Sequence, residues 1–214
     1  NDLAMYNVAE GQRGSPDMRK AQQLRESTFP PGHTERILGA NNVGWCLLAE
    51  GDPAGAQPWL ERALEEAERV LGEDHTTTAM ALHSLGELER RNGKLTRART
   101  LLERALAIQE RAVGPDAPST VEPLVSLALV DDAEHHTVEA FGRLERAIRI
   151  FERRFGPESP LLINVLESYE EVLSRAGRAA DAAAVRARRE SIKARAGNRV
   201  YAYPSSTFSS WDEE

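Results

Sequence analysis

The chain has 214 residues, of which 27 are Lys or Arg and 34 are Asp or Glu, so its formal net charge is −7 at neutral pH. Hydrophobic residues make up 41% and charged residues 29%, a composition that can bury a core and argues against disorder along the whole chain. Because the chain is acidic and its apolar runs fall far short of the roughly 20 residues of a membrane-spanning helix, we expect no nucleic-acid and no membrane partner.

The first 33 residues predict a degenerate helical hairpin. Residues 3–12 have the spacing of a first helix, the Gly-Ser-Pro segment at residues 14–16 supplies a turn, and residues 17–28 form a second helix. The Pro-Pro-Gly segment at residues 30–32 ends that second helix, because proline cannot continue it.

From residue 34 onward the sequence repeats with a period of 42 residues. Small side chains return in phase at Ala56, Ala98, Ala140 and Ala182. Large apolar side chains return four residues later, at Leu60, Leu102 and Leu144. The unit ends are similar as well, with LGEDH from residue 71, VGPDAP from residue 113 and FGPESP from residue 155. A period of this length indicates stacked supersecondary units.

Each unit has the pattern of two helices. Residues 77–91 and 95–113 carry apolar side chains at helical spacing, Asn92 and Gly93 supply the turn between them, and Gly114 ends the second helix. A lone hairpin could not bury such faces, so the hairpins must stack, with small residues where helices approach closely. The predicted units are residues 34–75, 76–118, a divergent 119–160 and a C-terminal capping unit, 161–197.

The third unit departs from the pattern at its turn. Asp131, Asp132 and Glu134 stand there with His135 and His136, where a glycine is expected. We interpret the three carboxylates as an acidic turn rather than as a weak cation site, and we expect His135 and His136 to lie on an exposed turn.

The last unit and the tail differ from the rest. Arg186 and Arg189 replace the periodic Leu and Ala, as in a capping unit whose outer face meets water. Residues 198–214 form an aromatic and acidic tail, in which Tyr203, Phe208, Trp211 and Asp212 are the candidate ligand-like residues. Two interpretations stay open: the tail occupies a groove of the array, in cis or in trans, or it packs on the last helix or is disordered.

The repeats resemble tetratricopeptide repeats, in the 42-residue variety of kinesin light chains and many bacterial signalling and effector proteins. The resemblance rests on NNVGWCLLAEGD from residue 41, on LGELERRNGKLTRARTLLERALAIQERAVGPDAP from residue 85, and on the weaker copy that ends in FGPESP. It implies an all-α fold, a right-handed superhelical solenoid of helical hairpins. The first helices of the hairpins would line a concave groove that binds a peptide or protein segment.

The period predicts the groove positions. Starting from Asn41, Asn42 and Trp45, it gives His83, Ser84 and Glu87, then Val125, Ser126 and Leu129, then Glu167, Ser168 and Glu171. Arg90 and Arg91, the nearest basic residues near the end of a first helix, complete the candidate groove set. In the resembled family, paired asparagines such as Asn41 and Asn42 offer side-chain amides to a bound peptide backbone, and an amide both donates and accepts hydrogen bonds. Arg90 and Arg91 either meet an acidic ligand or remain a solvated pair.

Catalytic chemistry has little support. The five histidines lack the spacing of a zinc helix, and neither a phosphate loop nor a nucleophile motif occurs, so we expect no enzyme, no cofactor and no metal site. We interpret His75 as part of a structural unit end and Cys46 as a small core residue. The single cysteine favours a reducing compartment, and we expect a cytoplasmic protein.

Two function classes stay open. The first is a non-catalytic interaction module, a scaffold or sensor within a larger protein. The second, which the resemblance permits, is a regulatory appendage of a kinase, a nucleotide-switch ATPase or a caspase-like protease whose catalytic domain lies outside this chain. The oligomeric state is left open.

Overall fold

The computed structural model describes residues 14–196, which form nine α-helices and no strand. The helices are α1 (Ser15–Thr28), α2 (Thr34–Ala49), α3 (Pro53–Leu71), α4 (Thr76–Arg91), α5 (Leu95–Val113), α6 (Val121–Ala133), α7 (Thr137–Phe155), α8 (Leu162–Arg175) and α9 (Ala179–Ala196). One turn of 3-10 helix, Pro118–Thr120, precedes α6.

The helices pack as consecutive hairpins, α2 with α3, α4 with α5, α6 with α7 and α8 with α9. The first helices α2, α4, α6 and α8 also contact one another in sequence, so they lie side by side along one face, which we call the groove face. The predicted all-α, right-handed superhelical solenoid of hairpins is confirmed. No helix of residues 14–196 is long and apolar enough to cross a membrane.

Small residues permit the close approach within a hairpin. A Cβ on Gly44 would lie 2.5 Å from Leu60 Cδ2, and a Cβ on Gly86 would lie 2.8 Å from Leu102 Cγ. Both leucines are fully buried and have no room to move away. The periodic Ala98 is also fully buried.

A left-handed residue makes the turn inside each hairpin. Gly93 has φ 75°, and the equivalent position of the third hairpin is His135, with φ 64°. A side chain at such a backbone position is strained, whereas glycine is not. His135 and His136 are exposed, as the sequence predicted.

The N-terminal helix begins earlier than expected. Ser15 and Pro16, predicted to lie in a turn, form the first turn of α1, where proline is tolerated because the first helical N–H groups have no intrahelical partner. Met18 and Gln22 are buried, and Gln22 Nε2 donates to the backbone oxygen of Arg36 in α2 at 3.0 Å. The predicted helix at residues 3–12 lies outside the described residues.

The second helices carry an ion-pair ladder with the 42-residue period. A glutamate of one hairpin meets an arginine of the next at 2.5–2.8 Å, in the pairs Glu26–Arg62, Glu68–Arg104, Glu110–Arg146 and Glu152–Arg188. A parallel set, at 2.6–2.7 Å, contains Asp74–Arg111, Asp116–Arg153 and Glu158–Arg195. Each ion pair, which we call a rung of the ladder, is partly exposed and contributes little to the free energy of folding by itself. Because the same pair recurs, neighbouring hairpins meet in the same register at successive interfaces.

The last described helix exposes most of its side chains. Only Ala182 and Ile192 of α9 are buried. Arg186 and Arg189 turn back toward α8, where both bind Glu170.

Candidate binding cavity on the groove face

A cavity of about 380 Å³ opens on the groove face. Its walls come from all four first helices of the hairpins, and they consist of Trp45, His83, Glu87, Arg91, Val121, Glu122, Val125, Ser126, Leu129, Asn164, Val165 and Ser168. Five of the lining residues are apolar or aromatic and seven are polar or charged, so the cavity offers both apolar walls and hydrogen-bonding groups.

Helical spacing explains why these side chains converge. His83, Glu87 and Arg91 stand one turn apart on α4, so they form one stripe of that helix. On α6, Glu122 and Ser126 are also four residues apart. Since α4 and α6 contact each other, the two stripes face a common space.

A histidine and a carboxyl meet at one end of the cavity. The His83 Nε2 and Ser126 Oγ atoms are 3.1 Å apart, and His83 Nδ1 is 3.8 Å from Glu122 Oε2. The Trp45 ring lies against the His83 ring, with a centroid separation of 5.8 Å.

Burial favours the neutral forms of His83 and Glu122. Burial lowers the pKa of His83 to about 4, although the nearby Glu87 charge opposes the shift. Burial, together with repulsion from Glu87, raises the pKa of Glu122 to about 7. At neutral pH the imidazole is therefore uncharged, and the Glu122 carboxyl is poised between its two protonation states.

Glu87, the second carboxyl group of the cavity, is compensated by arginines and accepts a 3.4 Å hydrogen bond from Ser126 Oγ. Arg90 binds both oxygens of Glu87 at 2.8 Å, and Arg91 Nε donates to the same carboxylate at 2.8 Å. Arg91 Nη1 also donates to the backbone oxygen of Leu48 at 2.9 Å. Burial raises the pKa of Glu87, but the hydrogen bonds and charges of the two arginines outweigh it, and the pKa lies below its ordinary value. The two arginines are thus bound to the protein itself.

The structure brings most of the predicted groove residues together. The predicted residues that line the cavity are Trp45, His83, Glu87, Arg91, Val125, Ser126, Leu129 and Ser168. Asn41, Asn42, Ser84, Arg90, Glu167 and Glu171 do not line it. Asn41 is fully buried, and its amide atoms make no hydrogen bond within the described part of the chain. Asn42 is 7% exposed.

Sequence reasoning missed two polar residues of the cavity. Glu122 lies one turn before Val125, a groove position that the period gives, and Asn164 lies 42 residues after Glu122. Extending the predicted stripe by one helical turn would have found both.

Asp131 and Asp132 lie in α6 rather than in the turn that follows it, so the prediction of an acidic turn was wrong for these two residues. Asp131 is 1% exposed and binds Arg99 and Arg143, each at 2.7 Å, while Asp132 is 8% exposed and binds Arg175. These aspartates end α6 inside the array, where arginines balance their charge. Residues 14–196 contain no group of three or more potential metal ligands.

Two further predictions concern single residues. The His75 ring accepts a hydrogen bond from the Thr77 N–H at the start of α4, so it caps that helix. Cys46 is buried in the core among apolar residues, as predicted. Tyr203, Phe208, Trp211 and Asp212 lie outside the described residues.

Comparison with known proteins identifies the family. Residues 34–111 and 77–153 match the family model described as tetratricopeptide repeat. The chain belongs to the tetratricopeptide repeat family. No curated protein matches the sequence.

Solved structures share the fold. A crystal structure of a Podosopora anserina protein, described as a kinesin light chain with nearly identical TPR-like repeats, is 20% identical over 92% of this chain and 95% of that chain, with a TM-score of 0.63. The crystal structure of BtubC (BKLC) from P. vanneervenii is 19% identical over 88% of this chain and 77% of that chain, with a TM-score of 0.67. Tetratricopeptide repeats generally bind protein partners, and they are typically scaffolds rather than catalysts.

Proposed function

We propose that this chain is a non-catalytic interaction module that binds a protein segment in the cavity on the groove face, as the scaffold or sensor part of a larger protein. The observation that carries the proposal is the cavity itself. It lies where four first helices meet, and its lining varies from unit to unit while the rest of each unit repeats. A stacked scaffold needs repeated residues at its interfaces, whereas a specific site needs different ones.

The shape and chemistry of the cavity fit part of a peptide rather than a large cofactor. A volume of about 380 Å³ lies near the lower end of the range for ligand pockets. Val125, Leu129 and Val165 give it apolar walls, and Ser126 and Asn164 supply hydrogen-bonding groups. A segment laid along the groove would insert one or two side chains here.

A second candidate function keeps the same groove in a different setting. The module would then regulate an enzyme, such as a kinase, a nucleotide-switch ATPase or a caspase-like protease, whose catalytic domain lies outside these 214 residues. The tail at residues 198–214 is a candidate occupant in both settings.

Selection from a random peptide library with the purified chain tests the proposal. Leu129→Arg places a long charged side chain at the cavity wall, and we expect it to lower the affinity of the protein for the selected peptides at least tenfold. Val138→Arg is the matched control, because Val138 is 79% exposed on α7, outside the cavity. Equal binding by both variants, with unchanged melting temperatures, would contradict the use of this groove. Repeating the selection with residues 198–214 deleted shows whether the tail competes.

A further inference from the structure

Given the proposed function of the groove, the chemistry of one inserted side chain follows. We infer that the cavity takes a basic side chain of the bound segment, with its cationic head at Glu122 and its aliphatic stem along the apolar wall of α6 and α8. The inference rests on the partners of Glu122 and on the shape of the walls around it.

Glu122 lacks the cation that other groove carboxylates have. Glu87 binds two arginines, Glu167 binds Arg189 at 2.7 Å, and Glu171 binds Arg175. Within residues 14–196, no Lys or Arg lies within 4 Å of Glu122, and its one ion-pair partner is the His83 ring at 3.8 Å. Its side chain is 21% exposed, so a ligand can reach the carboxyl from the cavity.

The groups that face Glu122 cannot neutralise it. On α4, the His83 ring is uncharged at neutral pH because burial lowers its pKa to about 4, and Arg91 is held by Glu87. On α8, the residues that line the cavity are Asn164, Val165 and Ser168, none of which carries a charge. On α2, the lining residue is Trp45. Apart from a proton, the positive charge that balances ionised Glu122 therefore comes from the ligand.

The walls suit the rest of a basic side chain. Lys and Arg bury their methylene stems along apolar surface while the charged head reaches a polar group. Val125 and Leu129 extend along α6 from Glu122 toward the other end of the cavity, and Val165 adds to this wall from α8.

An acidic occupant fits this end of the cavity poorly. A carboxylate beside Glu122 would repel it, and the described residues leave no unpaired cation in the lining to offset that repulsion. The Asp-Glu-Glu end of the chain is therefore a poor match for the Glu122 end.

A positional library of nine-residue peptides tests this inference. In each pool the central residue is fixed as Lys, norleucine or Glu, and all other positions are random. Norleucine keeps the stem of lysine and removes its charge. At pH 8, we expect the Lys pool to bind the full-length protein at least tenfold more tightly than the norleucine pool. Glu122→Gln should abolish this preference, and Glu139→Gln, at an exposed position of α7, should leave it unchanged.

The pH dependence gives a second readout. Since the pKa of Glu122 is about 7, ionised Glu122 becomes about tenfold more abundant between pH 6 and pH 8. Affinity for the Lys pool should rise by about that factor in the wild type and stay flat in Glu122→Gln.

The outcomes separate the two proposals. If Lys and norleucine pools bind equally well and Leu129→Arg weakens both, the groove binds peptides and the inference about charge is wrong. If no pool binds the wild-type protein, both the inference and the proposed function fail.

Discussion

The groove face and the ion-pair ladder of the second helices follow the same 42-residue period, but only in the ladder do the same residue types recur at every equivalent position. Every rung Glu26–Arg62 to Glu152–Arg188 uses the same residue types 42 residues apart. On the groove face, the positions equivalent to Trp45 are Glu87, Leu129 and Glu171. One surface repeats its chemistry and the other changes it at each step.

The difference separates residues that build the array from residues that give it specificity. Neighbouring second helices meet in the same way at each interface, so the same ion pair serves each one. On the groove face, residues that meet between hairpins, such as His83 and Ser126, differ from one interface to the next, and they also line the cavity. The predictions below test this division.

The largest expected effect is on packing between the helices of a hairpin. Ala98→Leu inserts a large side chain at a fully buried position and should lower the free energy of unfolding by about 1–3 kcal/mol. Ala107→Leu, at an exposed position of the same helix, should change it little. Chemical denaturation measures both. Unaltered stability of Ala98→Leu would contradict the register of the repeat.

The Glu122 carboxyl should make stability depend on pH. Its pKa in the folded protein, about 7, exceeds its ordinary value of 4.5, so the folded state holds the proton more tightly. Its contribution to stability is present below pH 4.5 and is lost as the pH rises to 7. The free energy of unfolding of Glu122→Gln, relative to that of the wild type, should therefore rise by about 2–3 kcal/mol between pH 5 and pH 8. Denaturation at both values measures this gain, and its absence would place Glu122 in a solvated site.

Replacing the left-handed turn residue of the third hairpin with glycine should stabilise the fold. His135→Gly relieves a side chain at φ 64° and should raise the free energy of unfolding by roughly 0.5–1 kcal/mol. The reciprocal change, Gly93→His, should lower it by a similar amount, because open space surrounds Gly93 and only the backbone is strained. A loss of stability in His135→Gly would show that its side chain has a role of its own.

The smallest effect belongs to a single rung of the ladder. A double-mutant cycle with Glu110→Gln and Arg146→Gln should give a coupling of about 0.2–1 kcal/mol that weakens with added salt. The pair Glu145–Arg149 within α7, at 3.9 Å, should couple less. Equal coupling energies for the two pairs would show that a ladder pair contributes no more to stability than an ion pair within one helix.

Much of the fold was predictable, because it follows from repeated local signals. The apolar spacing and the Asn92-Gly93 turn gave α4 and α5 close to their observed ends. The ladder is equally periodic in the sequence, but its spacing does not show which charges pair, because each glutamate and its arginine lie on different hairpins. The partners of Asp131 were not predictable, because its arginines come from two other helices and only the packing brings them together.

The candidate site was predictable in outline only. The period gave His83 and Ser126, but the protonation of Glu122 depends on burial and on Glu87, which are properties of the assembled groove. The sequence left open whether Arg90 and Arg91 meet an acidic ligand, and only the folded structure shows that both form ion pairs with Glu87.

The most direct measurement is an NMR titration of the tryptophan indole N–H signals with a peptide selected by the protein. Trp45 lines the cavity, whereas Trp59 on α3 does not and serves as the reference in the same spectrum. Binding in the groove predicts that the Trp45 signal moves in proportion to occupancy while that of Trp59 stays fixed. A shift of Trp59 with Trp45 unchanged would contradict the account.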